Sequence, residues 1–242
     1  VLRRAGKSPG TVRQALDADL LKAVYDRVAR RYDWQHGLLT ARSDQRGRVL
    51  LVDKAVAAGD KVLDCGAGTG STGLLAAHKA GESGHVTLMD ASEGMLAVAR
   101  RKATQEQVQD RLAFVTGDML ALPFGDNDFD VVLSTYSMCP VYDPARAATE
   151  AFRVTRPGGR IGVAHSTDPQ GPVVKWLAER IENVAWKLPS VSLGCRAVSV
   201  LPTLQHLGCK VVFEARIGVP LWPFKVFVVV KPEPRPGVGS NR

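Results

Sequence analysis

Acidic residues close three apolar runs in this chain, and glycines crowd the first of them. Val62-Leu63-Asp64-Cys65-Gly66-Ala67-Gly68-Thr69-Gly70 passes from an apolar pair through a carboxylate into a glycine-rich turn, and Leu74-Leu75-Ala76-Ala77 continues as a helix. Glycines admit positive φ and remove side chains that would block a ligand. At the carboxyl end of a parallel strand, such a turn is where open α/β sheets bind nucleotide-like molecules. Dinucleotide folds hold a pyrophosphate on a G-x-G-x-x-G turn at a helix N-terminus. The spacing here is D-x-G-x-G-x-G, with Asp64 ahead of Gly66, Gly68 and Gly70. A carboxylate in that position repels phosphate and attracts an ammonium group. S-adenosyl-L-methionine, which carries an amine and no phosphate, fits that chemistry.

Three more strand ends follow in order. His85-Val86-Thr87-Leu88-Met89-Asp90 reads as a buried strand whose acid lies about 20 residues past the glycines, where a carboxylate accepts ribose hydroxyls. Ala91-Ser92-Glu93-Gly94-Met95-Leu96 opens a helix with Ser92 as N-cap, and Met95 can lie against a purine face. Leu112-Ala113-Phe114-Val115-Thr116-Gly117-Asp118-Met119 is a third strand, with Asp118 as acceptor for an adenine amino group. Phe129-Asp130-Val131-Val132-Leu133-Ser134-Thr135 is a fourth, ending in hydroxyls. Any one acid could be a helix cap or a solvated turn residue. Four such ends in sequence point to one cofactor site.

The elements that must position these groups alternate. Strands are expected near 61–65, 85–90, 112–117, 129–135 and 159–165, and helices near 70–80, 92–103 and 143–155. Alternation of this kind predicts an α/β fold with a mostly parallel sheet and right-handed crossovers. Pro157-Gly158-Gly159 is expected to turn the chain into the fifth strand. A helix with Trp176, Leu177, Ile181, Val184 and Ala185 at helical spacing follows, its tryptophans assigned to core or lid packing. Cys209–Arg216 and Phe224–Lys231 read as a closing antiparallel pair. Residues 1–231 form one domain in this reading. Residues 1–50 make a helical lid region with a helix over Val12–Arg31, 51–170 the cofactor-binding core, and 171–231 the substrate-side helices and closing strands. The tail 232–242 is expected to be disordered.

Over residues 21–170 the sequence resembles the class I S-adenosylmethionine-dependent methyltransferases, which have a Rossmann-like seven-stranded fold. Within them it looks most like the UbiE/COQ5 (methyltransferase type 11) quinone-biosynthesis C-methyltransferases. The likeness runs through Val24-Tyr25-Asp26-Arg27-Val28-Ala29-Arg30-Arg31-Tyr32-Asp33, Gly81-Glu82-Ser83-Gly84, Leu122-Pro123-Phe124-Gly125-Asp126-Asn127-Asp128-Phe129-Asp130 and Phe152-Arg153-Val154-Thr155-Arg156-Pro157-Gly158-Gly159-Arg160. It implies S-adenosyl-L-methionine as cofactor and S-adenosyl-L-homocysteine as product. It assigns cofactor contacts to Asp64, Gly66, Gly68, Thr69, Gly70, Asp90, Ala91, Met95, Gly117, Asp118, Met119 and Thr135, with Tyr32 closing the methionine end.

The departures lie on the acceptor side. After the fourth strand that group carries Gly-Leu-Arg-Asn; this chain has Ser137-Met138-Cys139-Pro140. After Gly162-Val163-Ala164, His165 stands where the group has Glu, which makes it the candidate general base. A histidine bonded to its own loop is the structural alternative. Tyr136, Ser137, Met138 and Tyr142 are the candidate substrate contacts. The C-terminal third, with Trp176, Trp186-Lys187 and Leu207-Gly208-Cys209, resembles methyltransferases of phospholipids and membrane-associated thiols. Three functions stay open: transfer to a quinone-type carbon; transfer to nitrogen, sulfur or oxygen of another lipophilic metabolite; or a non-catalytic cofactor-binding subunit.

Composition narrows the partners. At 242 residues and 45% hydrophobic content, the chain can bury a substantial core. Its apolar windows are strand-sized, too short to span a bilayer. The four cysteines form no C-x-x-C pair, so neither a zinc site nor a disulfide framework is expected, and a reducing intracellular setting is the default. The chain begins at Val1, which leaves room for an upstream targeting or anchoring segment. Net charge is +8; residues 1–50 hold eleven Lys/Arg against five Asp, a net of +6. A solvated basic face is the plain reading, and attraction to an anionic membrane surface the sharper one. Nucleic acid is disfavoured, because aromatic content is 6% and no aromatics interleave the basic residues.

Overall fold

Strands too short and apolar to face water on either side must be covered by helices on both faces, and the computed structural model has that arrangement. The structure describes residues 18–29, 43–174, 176, 178, 180 and 198–233. Their elements run α1 (Ala18–Val28), α2 (Ser43–Ala55), β1 (Lys61–Cys65), α3 (Ser71–Ala80), β2 (His85–Asp90), α4 (Glu93–Gln105), β3 (Leu112–Thr116), β4 (Phe129–Thr135), α5 (Pro144–Val154), β5 (Thr155–Ser166), α6 (Leu201–His206), β6 (Lys210–Val219) and β7 (Trp222–Val230).

The seven strands form one sheet in the order β3-β2-β1-β4-β5-β7-β6. Strands β1 to β5 pair in parallel, and β7 runs antiparallel to both β5 and β6. The order reverses between β1 and β4, so the crevice beyond their carboxyl ends is the ligand position of such a sheet. Period-two alternation sends Val62 to a core shared with Leu51, Leu74 and Leu96, and Leu63 and Cys65 to a second core with Ala148, Leu204 and Phe227. Asp64 shares the face of Val62, turned toward α2 and α3.

Helix starts follow local chemistry. The Ser92 hydroxyl accepts the Met95 N–H at 3.1 Å, the expected N-cap of α4. Asp143 caps α5 by accepting the Arg146 N–H at 2.9 Å, with Pro144 in the first turn.

The expected strands and core helices are present within a few residues. Pro157-Gly158-Gly159 does not separate a helix from a strand: β5 begins at Thr155, pairs with Phe129, bulges, and resumes pairing at Arg160. Helix α2 falls where no separate element was expected. Its buried face includes Ser43, Asp44, Gly47 and Arg48, which breaks the apolar pattern by which a helix is recognised. Gly47 lets Tyr136 approach: a Cβ there would sit 2.3 Å from the tyrosine hydroxyl. Trp176 is 56% exposed and carries the Arg180 guanidinium 5.0 Å from its ring, which corrects its assignment to the core. The rest of that expected helix, Trp186, Tyr32 and the tail from 234 lie outside the described residues.

Candidate active site

A cavity of about 280 Å³ opens at the carboxyl ends of β1, β2, β3 and β4. Its walls include Gly66, Gly68, Asp90, Ala91, Met95, Gly117, Asp118, Met119, Thr135, Tyr136, Ser137 and Tyr142, all expected from sequence. Leu21, Lys22 and Tyr25 of α1 also line it, together with Met89, Ser92, Leu120, Pro140 and Val141.

The glycine loop is the part nearest to a phosphate site in appearance, and its hydrogen bonds show that it is not one. The N–H groups of Gly66 and Ala67 both donate to the Met89 carbonyl, at 2.8 and 2.9 Å. Gly68 N–H donates to Asp90 Oδ2 at 2.8 Å, and Gly70 N–H to the Ala67 carbonyl at 2.9 Å. A pyrophosphate loop turns such amides toward its ligand; these four are already engaged by the protein. Gly66 is required twice over. Its φ is +75°, and a Cβ would meet that of Ser137 at 2.4 Å. Ser137 closes this floor, donating to the Cys65 carbonyl at 3.0 Å and lying 2.7 Å from the Ser134 hydroxyl.

Asp90 is held at the end of β2 by the Gly68 N–H, 2.8 Å from Oδ2, and by the Ser92 N–H, 2.9 Å from Oδ1. Burial pushes its pKa up, and the two amides oppose that push. The neighbouring Asp26 adds a like charge, and its carboxylate accepts the Ser92 hydroxyl, docking α1 onto the start of α4. Asp118 Oδ1 accepts the Leu120 N–H at 2.9 Å, which fixes the turn after β3. Asp64 is fully buried, and neither carboxylate oxygen has a hydrogen-bond partner among the described residues. Desolvation raises its pKa to about 7 against the pull of the Arg48 guanidinium and of the Gly73 backbone amide, and the like charge of Asp90 adds to the rise. An orphaned buried carboxylate beside a glycine loop fits a cationic ligand group and opposes a phosphate.

Beyond Thr135 the chain turns sharply. Tyr136 has φ +59° and donates its N–H to the Ala164 carbonyl at 2.7 Å. Its ring packs edge-on against Phe224 and under Arg48, and its hydroxyl donates to the Asp44 carbonyl at 3.2 Å. Strained backbone of this kind concentrates at functional sites. Tyr142, 60% exposed, stands at the cavity wall with Pro140 and Val141.

Several expected residues do not line the cavity. Asp64, Thr69 and Gly70 lie at or beneath the loop rather than on its open face, and Met138 is buried in the second core. His165 is also absent from the walls. It is 1% exposed, its Nδ1 meets the Ser166 carbonyl at 2.8 Å, and its ring packs edge-on against Phe227. This is the loop-bonded alternative. Burial lowers its pKa, the Ser166 carbonyl opposes that, and the charge of Lys225 adds to it. With Nδ1–H assigned as donor, Nε2 is an acceptor without a partner among the described residues. The α1 contacts had one sequence signal, the Tyr25-Asp26 pair inside the family-like run; Arg48 had none.

Fold and cavity together have the form of a Rossmann-like α/β sheet that takes a ligand at its strand ends. A methyltransferase domain model matches residues 57–200, more than half of the chain, and the chain belongs to that family. It is 36% identical over 166 residues to the ubiquinone/menaquinone biosynthesis C-methyltransferase UbiE of Roseobacter denitrificans, covering 68% of this chain and 66% of the relative. To the demethylmenaquinone methyltransferase of Clavibacter sepedonicus it is 39% identical over 172 residues, covering 70% and 63%. The chain thus spans about two thirds of the length of these relatives. Among solved structures, the [4+2]-cyclase SpnF superposes with a TM-score of 0.70 at 17% identity, over 92% of this chain and 98% of that one. A Thermotoga maritima structure described as a SAM-dependent methyltransferase, possible histamine N-methyltransferase, gives 0.61 at 20%, over 87% and 99%. At such identities the likeness speaks for the fold.

Proposed function

We propose that this protein transfers a methyl group from S-adenosyl-L-methionine to a carbon of a lipophilic, quinone-type acceptor. The observation that carries the reading is the mixed lining of the cavity. Asp90 and Asp118 stand at strand ends and Met95 in the first turn of α4, with a glycine loop whose Gly66, Ala67, Gly68 and Gly70 amides are already engaged. Leu120, Tyr136, Pro140, Val141 and Tyr142 line it together with them. The acceptor class comes from the quinone-biosynthesis relatives, which match 68% and 70% of this chain.

In this reading Asp64 faces the cofactor's amine, Asp90 its ribose and Asp118 its adenine, with Met95 beside the base and Tyr32 closing the methionine end. When bound, the cofactor supplies an electrophilic methyl on a sulfonium. The protein's task is then alignment: holding the acceptor in line can account for about 7–11 kcal/mol of barrier. Helix α1 covers one wall through Leu21 and Tyr25. Cys139 and Pro140, standing where the quinone enzymes carry Arg and Asn, leave the acceptor wall without those polar side chains. That departure favours the second reading, an amine, thiol or hydroxyl of another hydrophobic metabolite.

No helix of the described residues is long and apolar enough to cross a membrane. The basic N-terminal region, net +6 over residues 1–50, supports peripheral contact with anionic lipid as the route to a lipophilic acceptor. Incubation with methyl-labelled cofactor and a bacterial lipid extract tests the reading. Label in the quinone fraction supports it, label in polar lipid or thiol supports the second reading, and cofactor binding without label indicates a binding subunit.

A further inference from the structure

Helix α1 gives the cavity three wall residues, Leu21, Lys22 and Tyr25, on a small apolar footing. Ala29, just past its end, and Met95 of α4 are buried together, with Val24, Tyr25 and Val98 packed partly against them. One polar contact joins the two helices beside this patch: the Ser92 hydroxyl donates to Asp26 Oδ1.

The valence of the hydroxyl suits that partner. As N-cap it accepts the Met95 N–H at 3.1 Å, which uses a lone pair and leaves its one proton to be donated elsewhere. Asp26 takes that proton, and its negative charge stands at the positive end of a 13-residue helix. The like charge of Asp90 opposes the placement. Clearance comes from Gly94, where a Cβ would lie 2.9 Å from Asp26 Oδ1. A larger residue there would push the carboxylate off the hydroxyl. Ser92 serves the cavity as well: its N–H donates to Asp90 Oδ1 at 2.9 Å, and Ser92 and Met95 both line the wall. Asp26, Ser92 and Asp90 thus form one chain of contacts from the outer helix to the end of β2.

We propose that Asp26 is a positioning residue: by holding Ser92 at the start of α4 it keeps α1 against the cavity and slows the escape of a ligand bound beneath that helix. The inference rests on the cofactor reading above for the identity of the ligand, and on the contacts alone for the attachment of α1. Linkage works in both directions. A ligand that binds only with α1 docked stabilises the docked helix in turn. An isolated helix of 11 residues is marginal in water, so an undocked α1 opens and exposes its amides to exchange.

The test joins two measurements on the full chain: release of labelled S-adenosyl-L-homocysteine after a chase with unlabelled ligand, and hydrogen exchange of the α1 amides by mass spectrometry. Wild type is compared with Asp26→Ala, Asp26→Asn and Gly94→Ala. A hydrogen bond of this kind is worth about three- to tenfold in an equilibrium. Asp26→Ala should release ligand faster by about that factor, and its ligand-free α1 amides should exchange faster to match while those of the sheet keep their wild-type rates. Asp26→Asn retains an oxygen that accepts the hydroxyl and should stay within about twofold of wild type. Gly94→Ala improves helix propensity and leaves Asp26 in the chain, yet should behave like Asp26→Ala. In wild type, saturating ligand should slow α1 exchange at least about tenfold. Wild-type release from both Asp26→Ala and Gly94→Ala overturns the proposal. So does release from Asp26→Asn as fast as from Asp26→Ala, or α1 exchange that answers to neither the ligand nor Asp26→Ala. Should Asp26→Ala fail to fold, wild-type release from Gly94→Ala alone overturns it. A wild type that binds no S-adenosyl-L-homocysteine refutes the cofactor reading instead, and ligand-free α1 exchange then still decides whether Asp26 holds the helix.

Discussion

Replacing Asp64 with asparagine should stabilise the ligand-free protein at alkaline pH while abolishing tight cofactor binding. The carboxyl ionises near 3.8 when solvated and near 7 in the fold, because burial disfavours the anion more than Arg48 supports it. Between those values the folded chain binds more protons than the unfolded one, so stability falls as pH rises through the window. Each pKa unit is worth 1.36 kcal/mol. The shift of about three units therefore makes wild type about 4 kcal/mol less stable at pH 8 than at pH 4 through this group alone. Asparagine occupies nearly the same volume without the titration. In a 242-residue chain this difference corresponds to a melting-temperature gap on the order of 10 °C at pH 8, closing by pH 4. Urea unfolding of both proteins at pH 4.5, 6 and 8 measures it. Calorimetry with S-adenosyl-L-homocysteine at pH 8 should show the gain in stability accompanied by lost affinity. Parallel stability profiles would mean that Asp64 is ionised at ordinary carboxylate pH, and the account of a strained acid awaiting a cation would fall.

Asp90→Ala should weaken S-adenosyl-L-homocysteine binding at least tenfold in calorimetry, since it removes the ribose acceptor and frees the Gly68 and Ser92 amides. Gly66→Ala places a Cβ 2.4 Å from that of Ser137 on a backbone with φ +75°. It should lower stability by about 1–3 kcal/mol in denaturant titration and remove cofactor binding. His165→Asn should leave turnover within about threefold of wild type, because the ring is buried against Phe227 away from the cavity walls. A loss beyond a hundredfold at unchanged cofactor affinity would return it to the role of base.

Sequence reading succeeded where one physical requirement left a local mark. A glycine that must adopt positive φ against a neighbouring strand, as Gly66 does, can hardly be replaced, and acids at successive strand ends stand out against apolar runs. Helix α2 shows the opposite case. Its buried face carries Ser43, Asp44, Gly47 and Arg48 because these residues serve Tyr136, Thr72 and Thr135, which lie 24 to 92 positions away in sequence. No window around 43–55 contains the reason for them. His165 misled for a related reason: its position at the end of β5 was read correctly, but period-two alternation aims the side chain into the second core with Ile161 and Val163.

The same contrast explains why the cofactor is easier to infer than the acceptor. The groups proposed to hold the cofactor sit on the ends of parallel strands, where sheet register fixes them: Cys65 pairs with Met89, Asp90 with Thr116, and Thr135 with Ala164. Moving any one of them would require a register slip that exposes an entire strand face. The acceptor wall instead hangs on the turn at Tyr136 and the segment from Ser137 to Tyr142, which ends exposed and answers to no such register. A chain can therefore exchange Arg and Asn for Cys139 and Pro140 without disturbing the sheet, and a fold shared with a [4+2]-cyclase does not by itself fix the reaction. It follows that acceptor preference should change with substitutions at Val141 and Tyr142 that leave S-adenosyl-L-homocysteine affinity intact, whereas no strand-end substitution should separate the two.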